Sequence, residues 1–473
     1  ASTIAGLIPI NLNFTAGESS INSAIKKSEI THVLTSKKFL EKALEKNGGK
    51  PLFDQTGINI IYFEEIFNFN KITMVFEVLK NLILPTSILA KLLTNYRPTL
   101  NSPQTVIFSS GSTGEPKGVV LSHLNIISNI EGSAEVMKIT PEDCILGVLP
   151  FFHSFGYTIT LWFPILASVK ATYHYNPLET KIIGKISKEN NVSILLATPT
   201  FLSTYTKKIK KEDLSNLRII MVGAEKLRQD TADEAEKAFG VRPLEGFGCT
   251  ELSPVAMVNT EDFKDENVDQ IGTKSGSVGL PLPGISVKFL DPDTNEEVTY
   301  SNYTNVSANN TKSDTEKDTQ KDTERNTERN TERDIVKRGL LLVKGPNVML
   351  GYLKDKNRTE QVILNGYYNT GDIGEIDEDG FVYIKGRLSR FSKIAGEMVP
   401  HGKIEEEILR ALKIEEQVIA VTGVSDEEKG EKIIVLHTIQ INPEEITNLL
   451  KEAGLPNLWI PKKDSFKKVE AIP

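Results

Sequence analysis

Short apolar runs alternate with amphipathic stretches along most of the chain. THVLTS (31–36), INIIYF (58–63), TVIFSS (105–110), VSILLATP (192–199) and LRIIMVGA (217–224) are rich in β-branched residues and read as strands. ESSINSAIKK (18–27), KKFLEKALEK (37–46) and DTADEAEKAF (230–239) carry the 3.6-residue period of helices. Strand–helix alternation predicts an α/β architecture with mostly parallel sheets in several layers. Further on, GLLLVKGPNVMLGY resumes strand-like order, and residues 366–386, GYYNTGDIGEIDEDGFVYIKG, read as strand, DEDG turn, strand. KIEEEILRAL then predicts an amphipathic helix, followed by the strands QVIAVTGV and KIIVLHTI, a small α+β unit. The expected division is a large domain over residues 1–386 and a small one over 387–473.

Two segments interrupt this regularity. Residues 72–93, ITMVFEVLKNLILPTSILAKLL, are strongly apolar but carry Glu77, Lys80 and Lys91 and are broken by Pro85. They predict a packed helix–turn–helix rather than a membrane span, with an interfacial membrane contact as the alternative. Residues 301–334 repeat Thr every four positions from 315 to 331, with Tyr303 and Val306 as their large apolar residues. Such a segment cannot bury enough surface to offset its ordering entropy. Stacked Glu324, Glu328 and Glu332, and Arg325, Arg329 and Arg333, would also weaken a helix.

Charge and composition narrow the function classes. The 473 residues carry a net charge of −8 without a basic block, so nucleic acid is not an expected partner. Two cysteines, Cys144 and Cys249, lie far apart and form no CxxC pair, which fits a reducing cytoplasm. The six His are scattered, without a zinc-binding pair. The chain opens at Ala1 in an apolar run and stops at VEAIP, and both ends read as cuts inside a longer polypeptide.

The densest chemistry lies in FSSGSTGEPKG (108–118). A Walker loop would lead into a helix. Here Pro116 and the following VVL favour a strand, so the loop joins strand to strand. Its backbone N–H groups and hydroxyls could wrap phosphate oxygens, with Lys117 as the countercharge. Read alone, the loop is either such a cradle or a flexible solvent loop.

Four motifs in order carry a resemblance: FSSGSTGEPKG, EGFGCTE (245–251), NTGD (369–372) and GRLSRFSKIAGE (386–397). Together they resemble the adenylate-forming superfamily of acyl-CoA synthetases, luciferases and peptide-synthetase adenylation domains. PFFHSFG, VGAEKL, IAGEMV and NFTAG look most like the synthetase half of the bifunctional acyltransferase/acyl-[acyl-carrier-protein] synthetases.

The resemblance implies an acetyl-CoA synthetase-like fold with a mobile small domain, and an ATP- and Mg²⁺-dependent activation of a carboxylic acid followed by transfer to a phosphopantetheine thiol. It implies that Ser109, Ser110, Gly111, Ser112, Thr113, Gly114 and Lys117 hold the β and γ phosphates, that Thr250 touches the α-phosphate, and that Glu251 holds Mg²⁺. Gly223, Ala224, Glu225, Gly246, Phe247 and Gly248 would form the adenine site. Asp372 would accept from the ribose hydroxyls, with a turn-capping Asp as the rival reading, and Arg387 would reach the ribose or phosphate. Ser389 would fall at the hinge, and Lys393, Gly396 and Glu397 would line the thiol tunnel. His153 and Phe155 would gate the acyl pocket. No carboxylate in PFFHSFG awaits a substrate ammonium, so a plain carboxylic acid is expected, and the resemblance implies a fatty acid.

The acceptor is acyl carrier protein in the leading reading and CoA in the alternative. The full-length protein is expected in the cytoplasm at the inner membrane face, through portions outside this sequence. A truncated remnant that only binds nucleotide or a partner is the rival from another class, because the family's adenylation lysine would follow Pro473.

Deleting residues 301–334 is expected to leave the melting temperature nearly unchanged, because long surface insertions cost little to close. Thermal scans of the deletion variant check this, and a collapse of the transition would show that the segment packs.

Overall fold

The computed structural model describes residues 3, 6–16, 18–46, 51–54, 56–66, 71–94, 97–109, 116–265, 268–299, 335–394, 397–414, 416–426, 430–453 and 455–472. The 301–334 segment lies outside them. The chain is an α/β protein that divides into two compact units, Ala1–Ser286 with Val343–Tyr368, and Val287–Leu342 with Asn369–Pro473.

In the first unit a seven-stranded sheet runs in the order Leu280–Pro281, Val255–Val258, Leu244–Gly248, Ile219–Val222, Ile194–Ala197, Cys144–Gly147, Lys170–Tyr173. The last five strands are parallel, and Val255–Val258 is antiparallel to both of its neighbours. The central strands are continuous apolar runs, as fits strands buried on both faces. Ile194, Leu195, Leu196 and Ala197 have no exposed surface. Leu202 and Tyr205 on one flanking helix, and Ala235 and Phe239 on another, pack against this layer.

Local chemistry sets the helix ends. Thr198 caps the Pro199–Lys208 helix by accepting from the Phe201 N–H, with Pro199 at the first position, where its missing N–H costs nothing. Ser122 and Asn125 form a reciprocal cap on the His123–Met137 helix.

A second sheet of this unit joins Gly351–Tyr352, Lys117–Ser122 and Pro103–Ser109. Pro103–Ser109 and Lys117–Ser122 are antiparallel, so the glycine loop does connect strand to strand. His32–Thr35 and Asn59–Tyr62 form a small parallel pair.

In the second unit residues 372–376 pair antiparallel with Val382–Arg387 across the expected turn. A second sheet orders Glu397–Pro400, Phe391–Ile394, Gly430–His437 and Ile419–Asp426 beside the His401–Leu412 helix. Ile394, Val399, Ile404, Ile408, Val421 and Val435 form its core.

Residues 72–93 do form two helices, Lys71–Ile83 and Thr86–Leu93. The expected packing is corrected, however. Met74, Val75, Phe76, Val78, Leu79, Leu82 and Ile83 are all exposed.

Leu196→Ala is expected to lower unfolding free energy by about 2–5 kcal/mol, through lost burial and the cavity left in a strand covered on both faces. Urea denaturation checks it, and a loss near zero would mean that this layer is not close-packed.

Candidate functional site

Parallel strands place their C-terminal ends along one edge of a sheet, where ligands of α/β proteins collect. Gly223 follows the strand Ile219–Val222, Gly246 ends up beside it in Leu244–Gly248, and Phe155 lies beyond the end of Cys144–Gly147. A Cβ placed on Gly223 would sit 3.4 Å from the Gly246 carbonyl oxygen and 3.7 Å from the Phe155 ring. Three sequence-predicted residues therefore meet here. Ala224 has a φ of 70°, an uncommon backbone for a residue with a side chain. Glu225 is exposed, and its carboxylate accepts from the Thr200 N–H and hydroxyl. A Cβ on Gly248 would lie 1.9 Å from the Pro254 carbonyl oxygen, so this close approach demands glycine.

Thr250 and Glu251 begin a single 3₁₀ turn after that glycine. The Ser154 hydroxyl donates to Thr250 Oγ1 at 3.4 Å. Glu251 is buried, and its Oε1 accepts the Tyr352 hydroxyl at 2.8 Å. The Lys117 ammonium stands 5.6 Å from the centroid of the same tyrosine ring, and the Arg358 guanidinium 5.8 Å from it. Burial and the neighbouring Glu251 charge push the Tyr352 phenol well above its ordinary range, so it stays a donor. Tyr368, which hydrogen-bonds Tyr352, is raised by burial in the same way.

Segment 345–352 is stitched to this turn. The Met349 N–H donates to the Glu251 carbonyl at 2.9 Å, Asn347 Nδ2 donates to the Leu252 carbonyl at 2.8 Å, and the Ser253 hydroxyl donates to the Asn347 carbonyl at 2.8 Å.

Motif reading missed Tyr352, Tyr368 and Asn347, and gave no role to Ser154 inside PFFHSFG. No spacing pattern marks residues that act over such sequence distances, and the only cue is a polar residue set in an apolar run. It also passed over Glu245. Burial raises this carboxyl to about 6, while Leu227, whose N–H donates to it at 3.0 Å, and Lys226 pull the other way.

Ser110, Gly111, Ser112, Thr113 and Gly114 lie outside the described residues, as does Gly396. Ser109 and Lys117 are register partners at the two ends of the loop. Lys393 pairs with Met398 in the Phe391–Ile394 strand, and its side chain is outside the description. His153 is exposed, with its ring 4.6 Å from that of Phe152. The FGYTITLW stretch forms a π-helix, Phe155–Trp162, whose Gly156, Tyr157, Thr158, Ile159 and Thr160 are buried. Phe247 lies in the strand Leu244–Gly248, paired to Met257.

In the second unit Asp372 and Arg387 face each other across antiparallel strands. Arg387 Nε is 3.1 Å from Asp372 Oδ1, and its Nη1 donates to the Thr370 carbonyl at 2.6 Å. Asp372 lies inside a strand, so the turn-capping alternative does not apply. Its Oδ2 is buried without a hydrogen-bond partner, an acceptor available to a ligand hydroxyl. Desolvation pushes the carboxyl up to about 6, against the pull of Arg387 and Thr370.

Among the described residues no group of three His, Cys, Asp or Glu side chains could hold a metal. A Mg²⁺ ion bound through one carboxylate and substrate phosphates needs no such group, and the buried Glu251 is a fitting single ligand.

The raised Asp372 pKa makes its ionised form a folding penalty on the order of 2–3 kcal/mol. The penalty is absent where the group is protonated in both states, grows as pH rises from the ordinary Asp range to about 6, and is constant above that. Asp372→Asn is therefore expected to raise the melting temperature at neutral pH and to have little effect in strongly acidic buffer. Scans at both pH values check this, and a lower melting temperature at neutral pH would contradict it.

A family model described as "AMP-binding enzyme" matches residues 1–304. The chain is 32% identical over 303 residues to "Probable 4-coumarate--CoA ligase 3" of Dictyostelium discoideum, covering 62% of this chain and 46% of that protein. It is 28% identical over 375 residues to the "Long-chain-fatty-acid--CoA ligase" of Bacillus subtilis (strain 168), covering 76% and 58%. It thus spans about half the length of the curated relatives it matches.

Two solved structures share the fold. ATP-bound MatB from Rhodopseudomonas palustris superposes with a TM-score of 0.70 at 22% identity, covering 100% of this chain and 82% of that one. O-succinylbenzoate coenzyme A synthetase (MenE) from Bacillus subtilis, in complex with ATP and magnesium ion, gives 0.72 at 20% identity, covering 99% and 82%. With the family match running over residues 1–304 of 473, the chain belongs to the AMP-binding enzymes.

Proposed function

We propose that the complete protein activates a fatty acid with ATP and passes the acyl group to a phosphopantetheine thiol. The observation that carries this reading is the grouping around Tyr352. One buried tyrosine lies between a cation, Lys117, and a carboxylate, Glu251, next to Thr250 and the glycine edge of the parallel sheet. Phosphoryl displacement asks chiefly for charge neutralisation and positioning, and this grouping offers both.

In the first step a carboxylate oxygen of the fatty acid attacks the α-phosphorus of ATP, and the bond to pyrophosphate breaks. Lys117 opposes the charge on the phosphates that the 109–117 loop would cradle. Thr250 orients the α-phosphate. Glu251 is the residue that would hold Mg²⁺, which when bound neutralises phosphate charge. Tyr352 fixes the Glu251 carboxylate and cannot itself take charge, because its phenol stays protonated. Asp372 Oδ2 would accept from a ribose hydroxyl, with Arg387 holding the other oxygen. The Gly223, Ala224, Glu225, Gly246, Phe247 and Gly248 backbone would flank adenine, with Phe155 and His153 toward the acyl chain.

In the second step a thiolate attacks the acyl carbon and AMP leaves. The small C-terminal region, residues 387–473, would supply Lys393 and Gly396 to the thiol path and turn about Ser389 between the steps. Acyl carrier protein is the acceptor in the first reading, on the resemblance of PFFHSFG and IAGEMV. CoA is the second, supported by the similarity to the Bacillus subtilis long-chain-fatty-acid–CoA ligase.

The complete protein is expected to release pyrophosphate from ATP with fatty acids and not with amino acids. Lys117→Ala and Glu251→Ala should each slow adenylation by ~10²–10³. Pyrophosphate assays with each acid check this, and near-normal rates in both variants would remove the assigned roles. Faster thioester formation with holo carrier protein than with CoA decides for the first acceptor, and the reverse for the second.

A further inference from the structure

A helix that packs on a protein surface turns its apolar face inward. The Lys71–Ile83 helix leaves its apolar face exposed. Met74, Val75, Phe76, Val78, Leu79, Leu82 and Ile83 spread over a wide arc of its circumference, and Phe76, Leu82 and Ile83 are 67%, 77% and 74% exposed. The remaining arc is a narrow polar stripe of Thr73, Glu77, Lys80 and Asn81. Within it Lys80 pairs with Glu77, and Asn81 Nδ2 donates to the Glu77 carbonyl at 2.7 Å. Polar groups are thus satisfied locally while the apolar arc stays largely exposed. After the break at Pro85 the Thr86–Leu93 helix turns Leu89 inward and leaves Ile88 and Leu92 exposed.

We propose that this helical hairpin is a lipid-surface contact that lies in the interface of an anionic bilayer. Length argues for lying rather than crossing. The helices have 13 and 8 residues, and no described helix is long and apolar enough to span. Charge argues for the sign of the surface. Residues 71–93 hold Lys71, Lys80 and Lys91 against the single Glu77, in a chain whose net charge is −8. The local excess is basic where the whole is acidic, which orients this face toward anionic headgroups. The choice of lipid over a protein partner also rests on the fatty acid reading, since a long-chain carboxylate partitions into bilayers. The contact would bring the domain to its substrate supply.

The test is sedimentation of the full chain with vesicles of equimolar phosphatidylcholine and phosphatidylglycerol, and with phosphatidylcholine alone. Binding is expected to the mixed vesicles, to weaken with added salt, and to fall by roughly tenfold or more in Phe76→Ser/Leu82→Ser. A Phe76→Trp variant reports insertion directly: its emission should shift to the blue on the mixed vesicles and be quenched by brominated acyl chains. Pyrophosphate release with a short, water-soluble acid should stay unchanged in Phe76→Ser/Leu82→Ser, which separates loss of lipid contact from misfolding.

Absence of wild-type binding to the mixed vesicles would overturn the proposal. So would an unshifted Trp signal in the pellet, or light scattering showing a dimer that Phe76→Ser/Leu82→Ser dissolves, which would assign the face to a second copy. A chain that binds vesicles but activates no fatty acid would refute the proposed function and leave this surface assignment standing.

Discussion

A carboxylate taken out of water must find a donor inside the protein, and around Glu251 that requirement organises much of the first unit. Its donor is the Tyr352 hydroxyl, 101 residues away in sequence. Tyr352 can serve because the Gly351–Tyr352 strand pairs with Lys117–Ser122, with Tyr352 opposite Val119. The same pairing brings the ring under the Lys117 ammonium. One tyrosine thereby fixes a carboxylate and meets a cation. Asn125 reinforces the arrangement from the helix side, with its amide donating to the Pro346 and Val348 carbonyls at 2.7 and 2.8 Å. The residue that caps a helix therefore also anchors the segment that carries the tyrosine.

The motifs were legible because their chemistry is local. Lys117 follows its loop directly, and Gly246, Gly248, Thr250 and Glu251 sit within six residues of one another. The strand-to-strand course of the glycine loop followed from Pro116 and the VVL run, and the pairing of Ser109 with Lys117 agrees with it. The apolar runs at 194–197 and 219–222 likewise read as strands, and both form parallel strands of the seven-stranded sheet. What stayed hidden is contact made over long sequence separation. Tyr352 and Asn347 belong to no motif, and Ser154 sits inside PFFHSFG without a role that its spacing announces. Asp372 was found only because NTGD is a motif, while its cross-strand partner and its orphaned oxygen depend on strand register.

The 72–93 segment shows a different limit. Periodicity reports that a helix has an apolar side but not what covers it. The sequence favoured a packed pair over an interfacial one, and the exposure of Phe76, Leu82 and Ile83 overturns that packing. The π-helix at Phe155–Trp162 is similar. FGYTITLW is apolar enough either to line a channel or to sit in a core; residues 156–160 are buried, yet nothing in its spacing favours the wider turn over a regular helix.

Buried carboxylates and stability pull against each other here. Asp372 and Glu245 both have their pKa values raised by burial to about 6, so each is ionised at neutral pH in a setting that disfavours the charge. Folding carries that cost because apolar layers elsewhere supply a surplus, as Leu195, Leu196, Ala197, Ile220 and Val222 do in the first unit and Val399, Ile404 and Val435 in the second. In return the carboxylates stay poised. Glu245 holds the Leu227 N–H and thereby the turn after Gly223, and Asp372 keeps one oxygen committed to Arg387 and one open. A residue whose charge is unfavourable in the resting protein gains most from a donor that arrives with a ligand. The orphaned oxygen of Asp372 therefore points to a ligand hydroxyl more strongly than a fully satisfied carboxylate would.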